Sequence, residues 1–304
     1  MENAWTIRNA LLWGMKQLEA PEYRSPRLDV ETLLSLALSL DRTFLYAHPE
    51  GIVQDEALQQ YKSWVSLRRA HYPIQYIRGN QEFYGRAFIV RPGILIPRPE
   101  TELLVETCLN LCQEYRPASG PIRILEIGTG CGCIAVTLSA ENPELRVTAT
   151  DIDPLAARTA ARNARLLLKD SSWIDFVVSD LGNCISSSCR LDFIVSNPPY
   201  VGRKDSESVD PSVRLYEPET AVFSGETGFE FFQRIFTEMR RLLKPEGFLL
   251  LEIGSGQAGA LEELAGKCGW KLVAVHPDLS RIPRCLVFSL DPDRREDFTG
   301  QISF

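Results

Sequence analysis

The chain has 304 residues, 44% of them apolar and 24% charged, with a net charge of −7. That is long enough for one large α/β domain and a small accessory one, and apolar enough to bury a core, which excludes global disorder. No run approaches the roughly 18 apolar residues that a membrane-spanning helix needs, and the acidic balance argues against an enzyme that tracks long nucleic-acid backbones.

The first residues, Met1-Glu2-Asn3-Ala4-Trp5, carry neither a basic stretch nor a long apolar run, so no secretory signal is expected. Residues 1 to 73 read as all-helical. Trp5, Ala10, Leu11, Met15 and Leu18 recur near helical spacing up to Pro21, and Leu28, Val30, Leu33, Leu34, Ala37 and Leu38 form a second helix. Asp41 is a candidate N-cap for a short third helix, and a fourth covers about 54 to 70, before Pro73. His48 and His71 are isolated, and no catalytic constellation falls in this stretch, which reads as a partner-binding domain. Arg68, Arg69, His71, Arg78 and Arg86 form the densest basic stretch; a solvated helix end and loop is preferred to a docking surface for an acidic or RNA-bound partner.

Residues 74 to 96 read as a linker with a β-hairpin, Glu82 through Val90, with Pro92-Gly93 as its turn. Residues 97 to 304 are expected to form the larger α/β domain. Pro97-Arg98-Pro99-Glu100 opens its first helix, with carboxylates in the turn where the helix dipole favours them. Arg98 either pins a pocket entrance or pairs with Glu100 or Glu102.

A strand from Arg123 runs into Gly128-Thr129-Gly130-Cys131-Gly132, and a helix opens at about Cys131. Glycines there let backbone approach a ligand closely. The spacing is G-x-G-x-G; the dinucleotide fingerprint needs a further glycine where Cys133 stands. Alone, such a turn is also a plain strand-to-helix connection. A second strand, Arg146 to Thr150, ends at Asp151, about 20 residues after the glycines, where a doubly wound sheet places a carboxylate that accepts from both ribose hydroxyls. Asp153-Pro154 caps the following helix. A third strand, Asp175 to Val178, ends at Ser179-Asp180, where a contact to an adenine edge falls in the same crevice; a loop acid is the competing reading.

The fourth strand, Leu191 to Ser196, runs into Asn197-Pro198-Pro199-Tyr200. Two prolines remove two backbone donors and leave carbonyls free to accept. The Asn side-chain oxygen adds an acceptor, and the Tyr ring offers a face to stack on. Such a grip accepts both hydrogens of an NH2 group and turns its lone pair to a third partner, as methylation of a poorly nucleophilic nitrogen requires. Val201 to Thr227 reads as a long irregular stretch, expected as a lid over the substrate. Helices at about 228 to 243 and 256 to 268 and strands at 247 to 253, near 270 to 275, and at 285 to 290 complete the chain.

Eight cysteines are scattered without a Cys-x-x-Cys pair. Reduced, mostly buried thiols in a cytoplasmic protein are the preferred reading, ahead of a disulfide framework or a zinc site.

The glycine loop, Asp151, Asp180 and Asn197-Pro198-Pro199-Tyr200, in this order, resemble the class I S-adenosylmethionine-dependent methyltransferases. More narrowly, the chain resembles the HemK/PrmC family, N5-glutamine methyltransferases that modify peptide chain release factors. The likeness includes Tyr76-Ile77-Arg78-Gly79, Glu82-Phe83-Tyr84-Gly85 and Leu95 through Glu102. It continues in Tyr216-Glu217-Pro218 and Leu251-Glu252-Ile253-Gly254, and spans about residues 74 to 290. The family also carries a helical N-terminal domain.

The resemblance implies a doubly wound seven-stranded α/β sheet, S-adenosylmethionine as cofactor, and no metal. It implies, as substrate, the glutamine of the Gly-Gly-Gln motif in class I peptide chain release factors, with no membrane and no direct nucleic-acid substrate. Cofactor-binding positions are then Gly128, Thr129, Gly130, Cys131, Gly132, Asp151, Asp180, Leu181 and Asn197. The substrate amide falls to Asn197, Pro198, Pro199 and Tyr200, with Asn197, Pro198 and Tyr200 catalytic. Leu181 stands where some members carry Trp, which leaves the adenine packing open. Three alternatives stand beside this: a ribosomal-protein glutamine methyltransferase, an adenine N6 methyltransferase on nucleic acid, and a cofactor-binding adaptor without activity. The N-terminal domain and Pro97 through Glu102 favour release factors.

Overall fold

The computed structural model describes residues 5–291 apart from 21, 22, 24, 118 and 169–172. Its helices are α1 Ile7–Gln17, α2 Pro26–Leu38, α3 Arg42–Ala47, α4 Asp55–Arg69, α5 Ile74–Arg78, α6 Glu102–Glu114, α7 Cys133–Glu141, α8 Pro154–Leu167, α9 Pro211–Tyr216, α10 Glu219–Val222, α11 Glu230–Glu238 and α12 Ala258–Lys267. Its strands are β1 Asn80–Phe83, β2 Arg86–Ile89, β3 Arg123–Ile127, β4 Arg146–Asp151, β5 Trp173–Val178, β6 Leu191–Ser196, β7 Leu243–Glu252, β8 Lys271–Pro277 and β9 Pro283–Ser289. They fall into two compact units, residues 1–79 with 210–216, and residues 80–209 with 217–304.

In the first unit, Ala10, Leu18, Val30, Leu33, Leu34, Tyr61 and Val65 form the centre of a core to which α1, α2 and α4 each contribute. Gly14 has a packing role, because a Cβ there would lie 2.0 Å from the Tyr61 hydroxyl, which donates to the Ala10 carbonyl. Asp41 caps α3 as its position suggests, accepting the Phe44 N–H at 2.8 Å. Glu31 is buried and accepts from Arg27, Arg42 and Tyr46. Burial pushes its carboxyl up, but these bonds and the Arg42 charge hold it below the ordinary value. In the basic stretch, Arg68 pairs with Asp29 at 2.7 Å. The short α9 belongs to this unit: the Tyr216 hydroxyl donates to the Ala70 carbonyl at 2.7 Å, and its ring meets Tyr72 edge-on. Pro21 and residues 1–4, read above as a helix stop and a leaderless start, lie outside the described residues.

The second unit is built on a seven-stranded sheet of order β5-β4-β3-β6-β7-β9-β8. The first five strands in that order run parallel, and β9 lies antiparallel to both β7 and β8. This is the expected doubly wound sheet with a C-terminal antiparallel hairpin. Its central strands are apolar on both faces, as parallel strands between two helical layers must be: all of β6 is buried, and so is β7 from Gly247 onward. Phe232, Ile235 and Phe236 of α11 and Leu261 and Ala265 of α12 pack on Leu125, Ile127, Ile194, Leu249, Leu251, Leu286 and Phe288. Strand order reverses between β3 and β6, and ligands bind beyond the carboxyl ends of strands at such a switch point. The glycine loop and Asn197 both start there.

Two local expectations differ from the structure. The β1–β2 hairpin turns at Tyr84-Gly85, both at positive φ (52° and 70°), not at Pro92-Gly93. Pro92-Gly93 forms a separate turn closed by the Ile94 N–H on the Arg91 carbonyl. Residues 201–227 are not irregular: a 3-10 helix at Arg203–Ser208, α9 and α10 fill them, and Val201 bridges to Phe223.

Candidate active site

A cavity of about 350 Å³ opens at the carboxyl ends of β3, β4, β5 and β6. Gly128, Thr129, Gly130, Cys131, Asp151, Asp180, Leu181, Asn197 and Pro199 all line it, whereas Gly132, Pro198 and Tyr200 do not. The Gly128 and Thr129 N–H groups both donate to the Thr150 carbonyl at 2.9 Å, which ties the loop to β4. Gly128 and Gly130 sit at φ +76° and +56°, and a Cβ on either would enter open space, so their backbone faces the cavity bare. Gly132 has a different task. A Cβ there would lie 2.9 Å from the Ala160 Cβ, so this glycine lets α7 pack closely on α8.

Asp151 holds the loop from the next strand. One carboxylate oxygen accepts the Gly130 N–H and the other the Asp153 N–H, each at 2.9 Å. Burial raises its pKa while these N–H groups counteract it. Each oxygen keeps a further lone pair for a hydroxyl donor. Asp153 caps α8 by accepting from the Leu155 N–H. Asp180 pairs with Arg234 of α11 at 2.8 Å, and both line the cavity. Leu181 is buried at φ +51°, an uncommon conformation for a side chain of its size.

Asn197 follows β6 directly. Its Nδ2 donates to Thr101 Oγ1 at 3.0 Å, which leaves Oδ1 as an acceptor without a partner among the described residues. Pro199 lies on the cavity wall, but the chain then turns its next ring away. Tyr200 is half-buried and packs against the core cluster, with its ring by Gly254, where a Cβ would come within 3.1 Å of it. Its carbonyl accepts from Gln257 Nε2 at 3.0 Å. Burial pushes the Tyr200 phenol up to about 12, so it is neutral near pH 7.

Several residues of the site escaped the sequence reading. Glu126 is fully buried and lines the cavity. Its Oε2 accepts from Thr129 Oγ1 at 2.7 Å and from the Ala135 N–H at 3.2 Å, and its Oε1 has no partner among the described residues. Burial pushes its carboxyl up to about 7. The available signal was a lone charge inside an otherwise apolar strand, Ile124-Leu125-Glu126-Ile127. Glu230 also lines the cavity and accepts the N–H groups of Glu226, Thr227 and Gly228. Burial opposes its charge, yet these bonds hold its carboxyl down to about 2. Arg98, which the sequence left as either a pin at the pocket entrance or a partner of Glu100 or Glu102, lines the cavity and pairs with Glu217 at 2.6 Å rather than with either of those acids.

The arrangement suits an elongated ligand with a diol near Asp151 and a cationic end near the unpartnered Glu126 oxygen. Asn197 Oδ1 supplies an acceptor for an N–H donor beside it.

Family models match two parts of the chain: the PrmC N-terminal domain at residues 9–79 and the methyltransferase small domain at residues 101–212. The chain is 42% identical over 282 residues to the release factor glutamine methyltransferase of Koribacter versatilis, covering 93% of this chain and 98% of that one. It is 38% identical over 281 residues to the one from Nitratidesulfovibrio vulgaris, covering 92% and 93%. Among solved structures, the hMettl16 catalytic domain in complex with a MAT2A 3'UTR hairpin aligns with a TM-score of 0.51 at 17% identity, over 72% of this chain and 89% of that one. At that identity the likeness is one of fold.

Proposed function

The chain belongs to the release factor glutamine methyltransferase family, and from that premise we propose that it methylates the side-chain amide nitrogen of the Gly-Gly-Gln glutamine in class I peptide chain release factors. S-adenosylmethionine is the methyl donor in this reading and supplies an electrophilic methyl group when bound. The cavity fits it on three counts. Gly128 and Gly130 present bare backbone, Asp151 keeps lone pairs for a ribose diol, and the unpartnered Glu126 oxygen suits a cation.

The observation that carries the proposal is the fixed side chain of Asn197, whose Nδ2 is engaged by Thr101 while its residue lines the cavity. An amide nitrogen is a poor nucleophile because its lone pair is delocalised into the carbonyl. In this reading Asn197 Oδ1 accepts one of its hydrogens, and the Pro198 carbonyl, although Pro198 does not line the cavity, is the acceptor expected for the other; this raises electron density on nitrogen and turns its lone pair toward the methyl group. Orientation of this kind supplies several kcal/mol of the barrier, up to about 7–11 where the geometry is ideal. Pro199 shields the amide plane from water. Tyr200, half-buried against the core with its carbonyl held by Gln257, acts in this reading by holding the Asn-Pro-Pro turn in place. No base is needed at that phenol, because the amide proton leaves after transfer.

The helical unit serves in this reading as the docking module for the release factor, and residues 97–304 carry the chemistry. A cytoplasmic location follows from that partner and agrees with the free cysteines, five of them buried (Cys108, Cys112, Cys131, Cys133, Cys285). No helix among the described residues is long and apolar enough to cross a membrane.

The test is incubation with methyl-labelled S-adenosylmethionine and a class I release factor, beside the same factor with its Gly-Gly-Gln glutamine changed to Ala. Label on the unaltered factor alone is the expected result. Equal label on both moves the target to another residue. Label on neither, with cofactor bound, moves it to a ribosomal protein or a nucleic-acid amine.

A further inference from the structure

A side-chain amide is nearly symmetric in shape but not in chemistry. A half-turn of Asn197 exchanges an acceptor for a donor, and only one orientation can receive the hydrogens of a substrate NH2. Its neighbour Thr101 does not decide the matter, because a hydroxyl both donates and accepts. The group beyond Thr101 must decide it.

That group is Glu252. Strands β6 and β7 run parallel with Ser196 opposite Leu251, so Asn197 and Glu252 follow side by side at their carboxyl ends. Thr101 Oγ1 accepts from Asn197 Nδ2 at 3.0 Å, and the same hydroxyl lies close enough to the Glu252 carboxyl to draw its pKa down. Thr101 is 2% exposed and Glu252 3%, so both side chains are shut away from bulk water. Glu252 Oε2 has no partner among the described residues. A buried carboxylate that is incompletely paired is a poor contributor to stability, so its presence beside the site asks for another reason.

We infer that Glu252 is a positioning residue for methyl transfer: as an acceptor-only carboxylate it takes the Thr101 proton, obliges Thr101 Oγ1 to accept from Asn197 Nδ2, and so turns Asn197 Oδ1 toward the substrate amide. The inference rests on the amide-methylating reading above and deepens it. The relay has a built-in pH dependence. Burial pushes the Glu252 carboxyl up to about 7, with Glu100 raising it further and Arg284 and Arg98 drawing it back. Tyr200, Cys133 of α7 and Cys285 of β9 also face it. Once protonated, Glu252 can donate to Thr101, which then donates to Asn197, and the amide that results offers N–H to N–H.

The experiment uses the full chain, a class I release factor and saturating labelled S-adenosylmethionine, with circular dichroism and cofactor affinity measured on each variant. Thr101→Ser keeps the hydroxyl and is expected to turn over near the unaltered rate. Thr101→Val keeps the shape and loses the relay, and its kcat is expected to fall on the order of 10- to 100-fold with cofactor affinity unchanged. Glu252→Gln is expected to abolish the acidic limb of the kcat profile near pH 7. Turnover of Thr101→Val at the unaltered rate, equal loss in Thr101→Ser, or an unchanged acidic limb in Glu252→Gln overturns the relay. A second measurement does not depend on the substrate: the Asn197 side-chain amide resonance in nitrogen-15 NMR should titrate near pH 7 and stop doing so in Glu252→Gln. If the unaltered enzyme labels no release factor while that resonance titrates, the substrate reading fails and the relay stands. If the resonance is flat in the unaltered chain, the relay itself fails.

Discussion

Arg98 donates to Glu217 at 2.6 Å, and the second carboxylate oxygen of Glu217 accepts the Ile96 N–H at 3.1 Å. One acid thereby holds both a side chain and the backbone of the segment leading into α6, across more than a hundred residues of sequence. Glu102 is engaged elsewhere, accepting the Tyr84 N–H at 2.7 Å.

The pair is lopsided. The Glu217 side chain is 1% exposed and that of Arg98 is 30%. Arg98→Ala leaves a buried carboxylate with only a backbone donor and is expected to cost about 3 kcal/mol, the low end for a broken buried pair because Arg98 is partly solvated. Glu217→Gln keeps the shape and one of the two acceptors but sets its NH2 against the other donor, and is expected to cost about 2 kcal/mol, still less than Arg98→Ala. Urea unfolding of the two variants checks the order; a greater loss in Glu217→Gln would contradict the asymmetry.

Asp151 joins the glycine loop to the β4 exit and, in the proposed reading, holds the cofactor ribose. Asp151→Ala removes acceptors for the Gly130 and Asp153 N–H groups together with those for the diol. Cofactor affinity should fall by about 1.5–3 kcal/mol, the range for hydrogen bonds to a charged group, on the order of 10- to 100-fold. Isothermal titration calorimetry reads this directly, and an affinity within a factor of two of the unaltered chain would remove Asp151 from the site.

The parts of the molecule legible in the sequence are those set by local pattern. Parallel central strands must be apolar on both faces, so β3, β6 and β7 stand out, and the residues ending them fall into one crevice. The helices of residues 201–227 were not legible, because α9 has six residues and α10 four, too few for a 3.6-residue period to register. The hairpin turn was missed because Tyr84 adopts positive φ, which Tyr rarely does. Thr101 lies 96 residues from Asn197, and no spacing rule connects them. Glu126 and Glu252 did leave a trace, each a charge set in an apolar run, Ile124-Leu125-Glu126-Ile127 and Phe248-Leu249-Leu250-Leu251-Glu252-Ile253. A charge in such a place must be paired, protonated or functional.

In the proposed reading Asn197 and the glycine loop divide the work of the site, so their variants should separate. Asn197→Ala is expected to lower kcat by at least about 100-fold, as loss of a positioned polar partner of the reacting group does. Cofactor affinity should change little, since Asp151 and the loop are untouched. Single-turnover labelling and calorimetry on the same preparation test the division. Equal loss of both would show that Asn197 holds the cofactor rather than the amide.

Glu126 gives the second unit a pH-dependent stability whose sign follows from its burial. Its carboxyl is pushed up to about 7 from an ordinary value of 4.5, chiefly by burial, with the Thr129 and Ala135 bonds drawing it partly back. Below pH 4.5 the proton is bound in folded and unfolded chains alike. Between 4.5 and 7 the fold keeps a proton that the unfolded chain releases, so stability falls as pH rises through that window and levels off above it. The gap corresponds to on the order of 3 kcal/mol. Glu126→Gln removes the buried charge and is expected to be more stable than the unaltered chain at pH 8, with the difference vanishing near pH 4. The same substitution removes the acceptor proposed for the cofactor's cationic end, so affinity should fall at pH 8 even as stability rises. Thermal unfolding from pH 4 to 8 with and without S-adenosylmethionine measures both. A variant less stable than the parent at pH 8 without cofactor would reverse the sign and place a compensating charge beside Glu126.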